Sequence, residues 1–207
     1  MSHLVIGEVS EFLRKTLFLG IKDDPVTGQL VGSEQEISLS NPGQAVPGVR
    51  RLSLWLYQIV PNEHLRNPPF VRRTNPANAR DDDAQFFPPL HLNLLYLLTP
   101  SVQDGGANDP VADQRLLGRA MQVFNDQSIV TMDSKQNPGR AEELHLSLAP
   151  RTIEELAEVW EAMQQPYRLS VCYEVRSVRI DSERRVQAGR LSERSTDFAG
   201  MGAPAGA

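Results

Sequence analysis

Leu90, Leu92, Leu94, Tyr96 and Leu98 occupy every second position of one uninterrupted stretch that ends at Thr99-Pro100. In an extended chain alternate side chains point the same way, so this period dictates a strand with a continuous apolar face. Such a strand needs neighbours on its edges and a cover over its face, and the rest of the sequence offers both. Over 52–60, Leu52, Leu54 and Leu56 alternate with Trp55, Tyr57 and Ile59. Both faces of that strand are apolar, so a cover on each side is expected. Leu144, Leu146 and Leu148 predict a third strand, and Ile37 and Leu39, set between Ser38 and Ser40, a short one. A last, long strand is expected over 167–180. Tyr167, Leu169, Val171, Tyr173 and Val175 share one of its faces, and Arg168, Ser170, Cys172, Glu174 and Arg176 the other. That pattern describes a half-buried strand, or one reaching past the body of the domain.

The helices read from a different period. Val5, Val9, Phe12, Leu13 and Leu17 fall on one face of a helix over 3–19, with Gly20 placed to stop it. Asp109 stands as an N-cap before Pro110, opening a helix to about 126 that turns Ala112, Leu116, Ala120, Val123 and Phe124 inward. Thr152-Ile153-Glu154-Glu155 is a capping box, and the helix behind it buries Leu156, Val159, Trp160 and Met163. Asn137-Pro138-Gly139 is a turn. The order of elements predicts one α/β (α+β) domain over residues 1–181, a mixed sheet with helices packed on it.

Two segments stand outside this pattern. Residues 61–89 hold six prolines and a charged middle, from Arg72-Arg73 to Asp81-Asp82-Asp83, and sustain neither helix nor central strand. Loops of this length are usually functional or disordered, and Phe70, Phe86 and Phe87 mark parts of it as docking points. Residues 182–207 form a polar arm, expected to be flexible, with Arg184, Arg185, Arg190, Arg194 and Phe198, ending in Gly, Ala and Pro. Arginine and phenylalanine are both enriched in contact cores, so these two segments are the expected partner-binding elements. A strand that runs into a free arm suits addition to a neighbour's sheet edge.

Composition narrows the chemistry. The formal net charge of −5 argues against gripping a phosphate backbone, so no nucleic acid is expected. No run of 18 apolar residues is present, so no membrane insertion is expected, and Met1-Ser2-His3 does not begin a secretory signal. Cys172 is the sole cysteine, so no disulfide within the chain is possible, which fits assembly in a reducing cytoplasm. Asp81, Asp82 and Asp83 offer hard oxygen ligands, but a solvated charge run explains them better. Glu143 and His145 share a strand face beside Glu142 and offer half of a metal or acid–base site; a polar outer face explains them equally. His91 reads as a semi-buried histidine and Cys172 as a small core thiol, while capping accounts for Glu154 and Glu155. Gly105-Gly106 before a helix offers an anion site that Asp104 and Asp109 oppose. No phosphate loop, nucleophile elbow or zinc-type histidine pair occurs, so no catalysis, metal or cofactor is expected.

The stretch Leu90 to Thr99, the Leu116-Leu117-Gly118 motif, Leu144 to Leu148, Ile153 to Trp160 and Tyr167 to Val175 resemble, in that order and spacing, the cap or tail-terminator proteins of extracellular contractile injection systems. The resemblance covers roughly residues 3–181. It implies a non-catalytic hexameric ring that caps the inner tube and terminates the contractile sheath at the distal end of a phage-tail-like particle. Such a particle assembles in the cytoplasm and is then released or stays anchored in its host. On that basis the arm with Arg184, Arg185, Arg190, Arg194 and Phe198 is expected to contact the last sheath layer. Arg72, Arg73, Phe86 and Phe87 are expected to contact a ring neighbour or the tube. The alternatives are a connector or neck protein of a contractile phage, and a small metal-dependent enzyme in which Asp81, Asp82 and Asp83 converge with His145 or Glu143.

Overall fold

The computed structural model describes residues 2–44, 49–65, 71–72, 85–101, 103–104, 107–133 and 141–186. These fall into two compact units. Residues 1–69 and 88–182 build the larger one, and residues 70–87 and 183–207 the smaller.

The larger unit is built on a six-stranded mixed sheet. Its strands are β1 (Ile37–Ser38), β2 (Leu52–Pro61), β5 (Leu90–Pro100), β8 (Ile129–Asp133), β9 (Ala141–Ala149) and β10 (Val171–Ile180). They lie in the order β1-β2-β5-β10-β9-β8, with β1 parallel to β2 and the other pairs antiparallel. The alternating stretch read from the sequence is therefore β5, at the heart of the sheet. A short hairpin of β6 (Gln103–Asp104) and β7 (Ala107–Asn108) follows it.

One face of the sheet is covered by α1 (Val5–Lys22) and α2 (Pro110–Asp126). Val9, Leu13, Leu17 and Ile21 repeat every four residues, so α1 turns one stripe onto the sheet, and all four are buried. They pack with Leu116, Ala120 and Phe124 of α2 and with Leu54, Leu94, Tyr96 and Val175 below. The Tyr96 hydroxyl, buried in this apolar layer, is satisfied at 2.8 Å by the Ser10 hydroxyl of α1. The opposite face carries α3 (Ile153–Ala162), which seats Leu156 and Trp160 over Leu97 and Cys172, with Trp55 and Tyr57 alongside. The two-faced apolar pattern of β2 thus matches a cover on both sides.

Three expectations require correction. Gly20 does not end the first helix, which continues to Lys22. A Cβ at Gly20 would lie 2.5 Å from a methyl of Val123, so the glycine permits α1 and α2 to approach closely. The last strand begins at Val171, not at 167. Ser170 is buried instead, accepting the Trp160 indole N–H at 3.1 Å, and Tyr167 stacks edge-on against Trp160 at 6.4 Å. Nor is the second face of that strand polar throughout, since Cys172 is fully covered by α3. The pairing of β10 with β5 shifts between Val175 and Val178, where Ser177 takes φ 69°. The bulge returns Val178 to the buried face. A second shift, between Leu56 and Gln58 of β2, faces β5 from the other side and leaves Ile59 44% exposed. Strand β8 was not expected from the sequence at all. The Asn137-Pro138-Gly139 turn lies outside the described residues.

Candidate functional site

The smaller unit contains a three-stranded antiparallel sheet of β3 (Val71–Arg72), β4 (Gln85–Phe86) and β11 (Arg185–Val186), with β4 in the middle. Phe86 stands opposite Val71 on one side and Arg185 on the other, and Gln85 opposite Arg72 and Val186. The Phe87 amide donates to the Arg184 carbonyl at 3.0 Å. The Arg184 guanidinium lies 4.2 Å from the centre of the Phe87 ring. A cation over an aromatic face contributes about 0.5–1 kcal/mol where water still reaches it. Of the residues singled out in the sequence, Arg72, Phe86 and Arg185 therefore lie in one small sheet, and Phe87 and Arg184 flank it. It joins the proline-rich loop to the C-terminal arm. Arg73, Arg190, Arg194 and Phe198 lie outside the described residues.

The alternative chemistry places its groups as follows. His145 and Glu143 are both exposed on β9, with the His145 Nε2 3.2 Å from a Glu143 carboxylate oxygen. Asp81, Asp82, Asp83, Gly105 and Gly106 lie outside the described residues, and among the described residues no group of three His, Cys, Asp or Glu side chains is arranged to hold a metal. Thr152 and Glu155 complete the capping box: the Thr152 amide donates to the Glu155 carboxylate at 2.9 Å and the Glu155 amide to the Thr152 hydroxyl at 3.3 Å. Asp109 caps α2 by accepting from the Val111 and Ala112 amides, each at 3.0 Å. Its carboxylate is thereby occupied by the helix terminus that an anion would need.

Cys172 lies under α3 beside Tyr57. Burial pushes the thiol upward. Burial first, and then the hydrogen bond with Cys172, pushes the Tyr57 phenol up to about 12. Both groups stay neutral and uncharged at physiological pH, which suits packing rather than nucleophilic chemistry. His91 on β5 faces Arg179 across the strand pair, and Arg179 is ion-paired with Asp181. Burial lowers the His91 pKa and the Asp181 carboxylate opposes it.

One feature lies beyond the sequence reading. Among the described residues β8 is the last strand of the large sheet, with no strand paired to its outer side. Ile129 on that edge is 59% exposed. Between the edge and α1 runs a cleft of about 420 Å³, lined by Glu8, Glu11, Phe12, Lys15, Thr131 and Met132, with Arg14 alongside already paired to Glu34 at 3.0 Å. Only the alternation of Val130 and Met132 marks β8 in the sequence, which is too short to distinguish a strand from a loop. No helix among the described residues is long and apolar enough to cross a membrane.

No curated protein matches the chain in sequence. Among solved structures it is similar to the sheath/tube terminator of PVC, an extracellular contractile injection system, in its extended state. That likeness has a TM-score of 0.52 at 13% identity, covering 82% of this chain and 57% of the other. The tube-terminating cap of the anti-feeding prophage is also similar, with a TM-score of 0.43 and 17% identity over 77% of this chain and 52% of that one. The chain thus spans little more than half the length of either. The first of these likenesses shows a shared fold. The model of the Pvc16 N-terminal domain covers residues 8–194, from within α1 past β11, and with that match the chain belongs to the Pvc16 N-terminal domain family.

Proposed function

We propose that this chain is a structural terminator of a contractile injection particle, with no catalytic role. The observation that carries the reading is the family match over residues 8–194. The fold likeness to a sheath/tube terminator supports it. Six copies close into a ring at the distal end of the tail, where each copy meets the next through unlike surfaces and the ring leaves no free end. A growing tube ends in a rim of unsatisfied subunit edges. The ring matches that rim on one face and offers no copy of it on the other, so growth of tube and sheath stops.

The two arms make the contacts. Arg72, Arg73, Phe86 and Phe87 serve a ring neighbour or the tube. The C-terminal arm, through Arg184, Arg185, Arg190, Arg194 and Phe198, reaches the last sheath layer by strand addition. The chain folds in the cytoplasm and leaves as part of a particle that is released or stays host-anchored.

The test is co-expression of tube and sheath subunits with the full chain, with a chain lacking residues 187–207, or with neither, followed by negative-stain microscopy. Uniform capped particles with the full chain, and uncapped or irregular ones with the shortened chain, are expected. Particles of normal length and integrity in the absence of the protein overturn the reading.

A further inference from the structure

We propose that the groove between the end of α2 and the end of β9 holds residues 167–169 of a second copy of this chain. The inference deepens the terminator reading, on which it rests, by naming a contact through which one copy grips the next.

The groove arises because two neighbouring strands differ in length. Strand β8 pairs with β9 only from Ala141 to His145, and one further bond on that side runs from the Leu146 amide to the Ser128 carbonyl at 2.8 Å. Residues 147–149 continue past it, still paired to β10. Over the sheet there lies a groove of about 530 Å³, floored by Phe124, Leu146 and Tyr173 and walled by Met121, Asn125 and Leu148. Leu148 is 50% exposed, although Leu144 and Leu146 before it on the same face are buried. An apolar partner seated on Leu148 removes that surface from water.

The lip of the groove is acidic. Asp126, the last residue of α2, follows the lining Asn125 and is exposed. No basic residue stands in the final turn of α2, so the negative end of the helix dipole adds to the carboxylate. Among the described residues no cation pairs with Asp126. The site asks for an apolar group with a cation beside it.

Residues 167–169, Tyr-Arg-Leu, present that chemistry. Tyr167 and Leu169 are 46% and 45% exposed. Tyr167 is held edge-on against Trp160, and Ser170 behind Leu169 accepts the Trp160 indole N–H, so the segment loses little freedom on docking. Among the described residues no carboxylate pairs with Arg168. It faces another cation instead. Arg50 is tied to the carbonyls of Asn41, Pro42 and Gln44, and burial, followed by the like charge of Arg168, holds its pKa below the ordinary range. An acid brought by a neighbouring copy offsets that repulsion. With Leu169 on the floor against Leu148 and Tyr167 along Met121, Arg168 stays at the lip beside Asp126.

Donor and acceptor flank the centre of the sheet. Residues 165–168 lean on the loop that leads into β2: Gln165 approaches Gly43 so closely that a Cβ there would lie 2.6 Å from its side chain. The groove lies on β9, and β5 and β10 stand between β2 and β9. Each copy therefore gives on one side and receives on the other, the head-to-tail relation that a closed ring requires.

Charge reversal in the full-length chain tests this, read by light scattering of the chain alone and with tube and sheath subunits. Unaltered chains should associate as their concentration rises. Arg168→Glu and Asp126→Arg should each raise the concentration needed several-fold, because every contact then sets like charges together. An equal mixture of the two variants should associate as the unaltered chain does, since alternating copies meet with opposite charges at every contact. Mixing would not repair damage to the fold, and circular dichroism of each variant checks that the body is intact. Leu148→Asp should weaken association in any mixture. Chains that stay monomeric in both settings overturn the inference. Association indifferent to the reversals overturns it too, and means that something else fills the groove; if such chains still set particle length, the terminator reading stands. Association that follows the charges, beside particles of normal length when the protein is absent, sinks the terminator reading and leaves the contact standing.

Discussion

Gly20 is defined by what it lacks. Helix α1 passes α2 at this residue, and the Arg119 guanidinium binds the Gly20 carbonyl with two N–H groups at 3.1 and 2.8 Å. In an open helix, alanine in place of glycine gains about 1 kcal/mol of propensity. Here the new methyl meets Val123, a buried β-branched side chain that has no room to turn aside. Overpacking costs about 1–3 kcal/mol, so Gly20→Ala should lower the melting temperature, and pairing it with Val123→Ala should relieve the clash. A stabilised single variant would show that the helices separate freely.

His91 makes a second residue-scale case. Its folded pKa is depressed below the ordinary 6.5, chiefly by burial. The unfolded chain therefore takes up a proton first as the pH falls. Stability is complete above the unfolded value and declines as the pH drops through it toward the lower folded value. His91→Gln should flatten the melting-temperature profile between about pH 7 and 5. An acid slope as steep as that of the unaltered protein would assign the effect to another group.

At the scale of elements, α3 is held to the larger unit by a small cluster of side chains. A ten-residue helix is marginal in water, and this one holds to the sheet mainly through Leu156 and Trp160. Its capping box therefore matters. Thr152→Ala should cost about 1 kcal/mol, which multiplies the open population roughly five-fold. Labelling of Cys172 by a thiol reagent reads that opening directly, since α3 is what covers it. Labelling that is no faster in the variant would mean the helix does not open as a unit.

Elements also show what the sequence can convey. Strand β5, helix α2 with its Asp109 cap, and the α3 capping box were legible because each signal is local: a period, a cap or a pair of residues three apart. The start of β10 was not, because Tyr167 and Leu169 keep the strand's period while Ser170 is drawn in by Trp160, a contact made ten residues away. The bulges at Tyr57 and Ser177 change which face each strand buries, and no residue type announces them. The fate of Gly20 depended on Val123, which no helix-ending rule contains.

For the whole molecule, prolines and charge set the long loop and the polar C-terminal segment apart in the sequence, and their arginines and phenylalanines made them the expected partner-binding elements. That β4 would sit between β3 and β11 was not readable, since a pairing of Phe86 with Arg185 leaves no trace in either segment alone. The family resemblance reached the same class of protein by another route, through the order of several weak motifs, and the match over residues 8–194 is its counterpart. The place of β8 at the end of the sheet, among the described residues, escaped both routes because it is a property of sheet order and not of any stretch of chain.

The position of β10 in that order has a bearing on synthesis. It is the last strand of the large sheet to leave the ribosome, yet it lies between β5 and β9. Until about residue 180 emerges, β2 with β5 and β9 with β8 are separate ribbons, each with an inner margin bare of hydrogen bonds. Pairings between such distant segments form slowly, and exposed margins attract other chains meanwhile. A nascent or prematurely ended chain is therefore the sticky species, vulnerable to chaperone capture and proteolysis, and the arrival of one late strand turns two halves into a finished subunit.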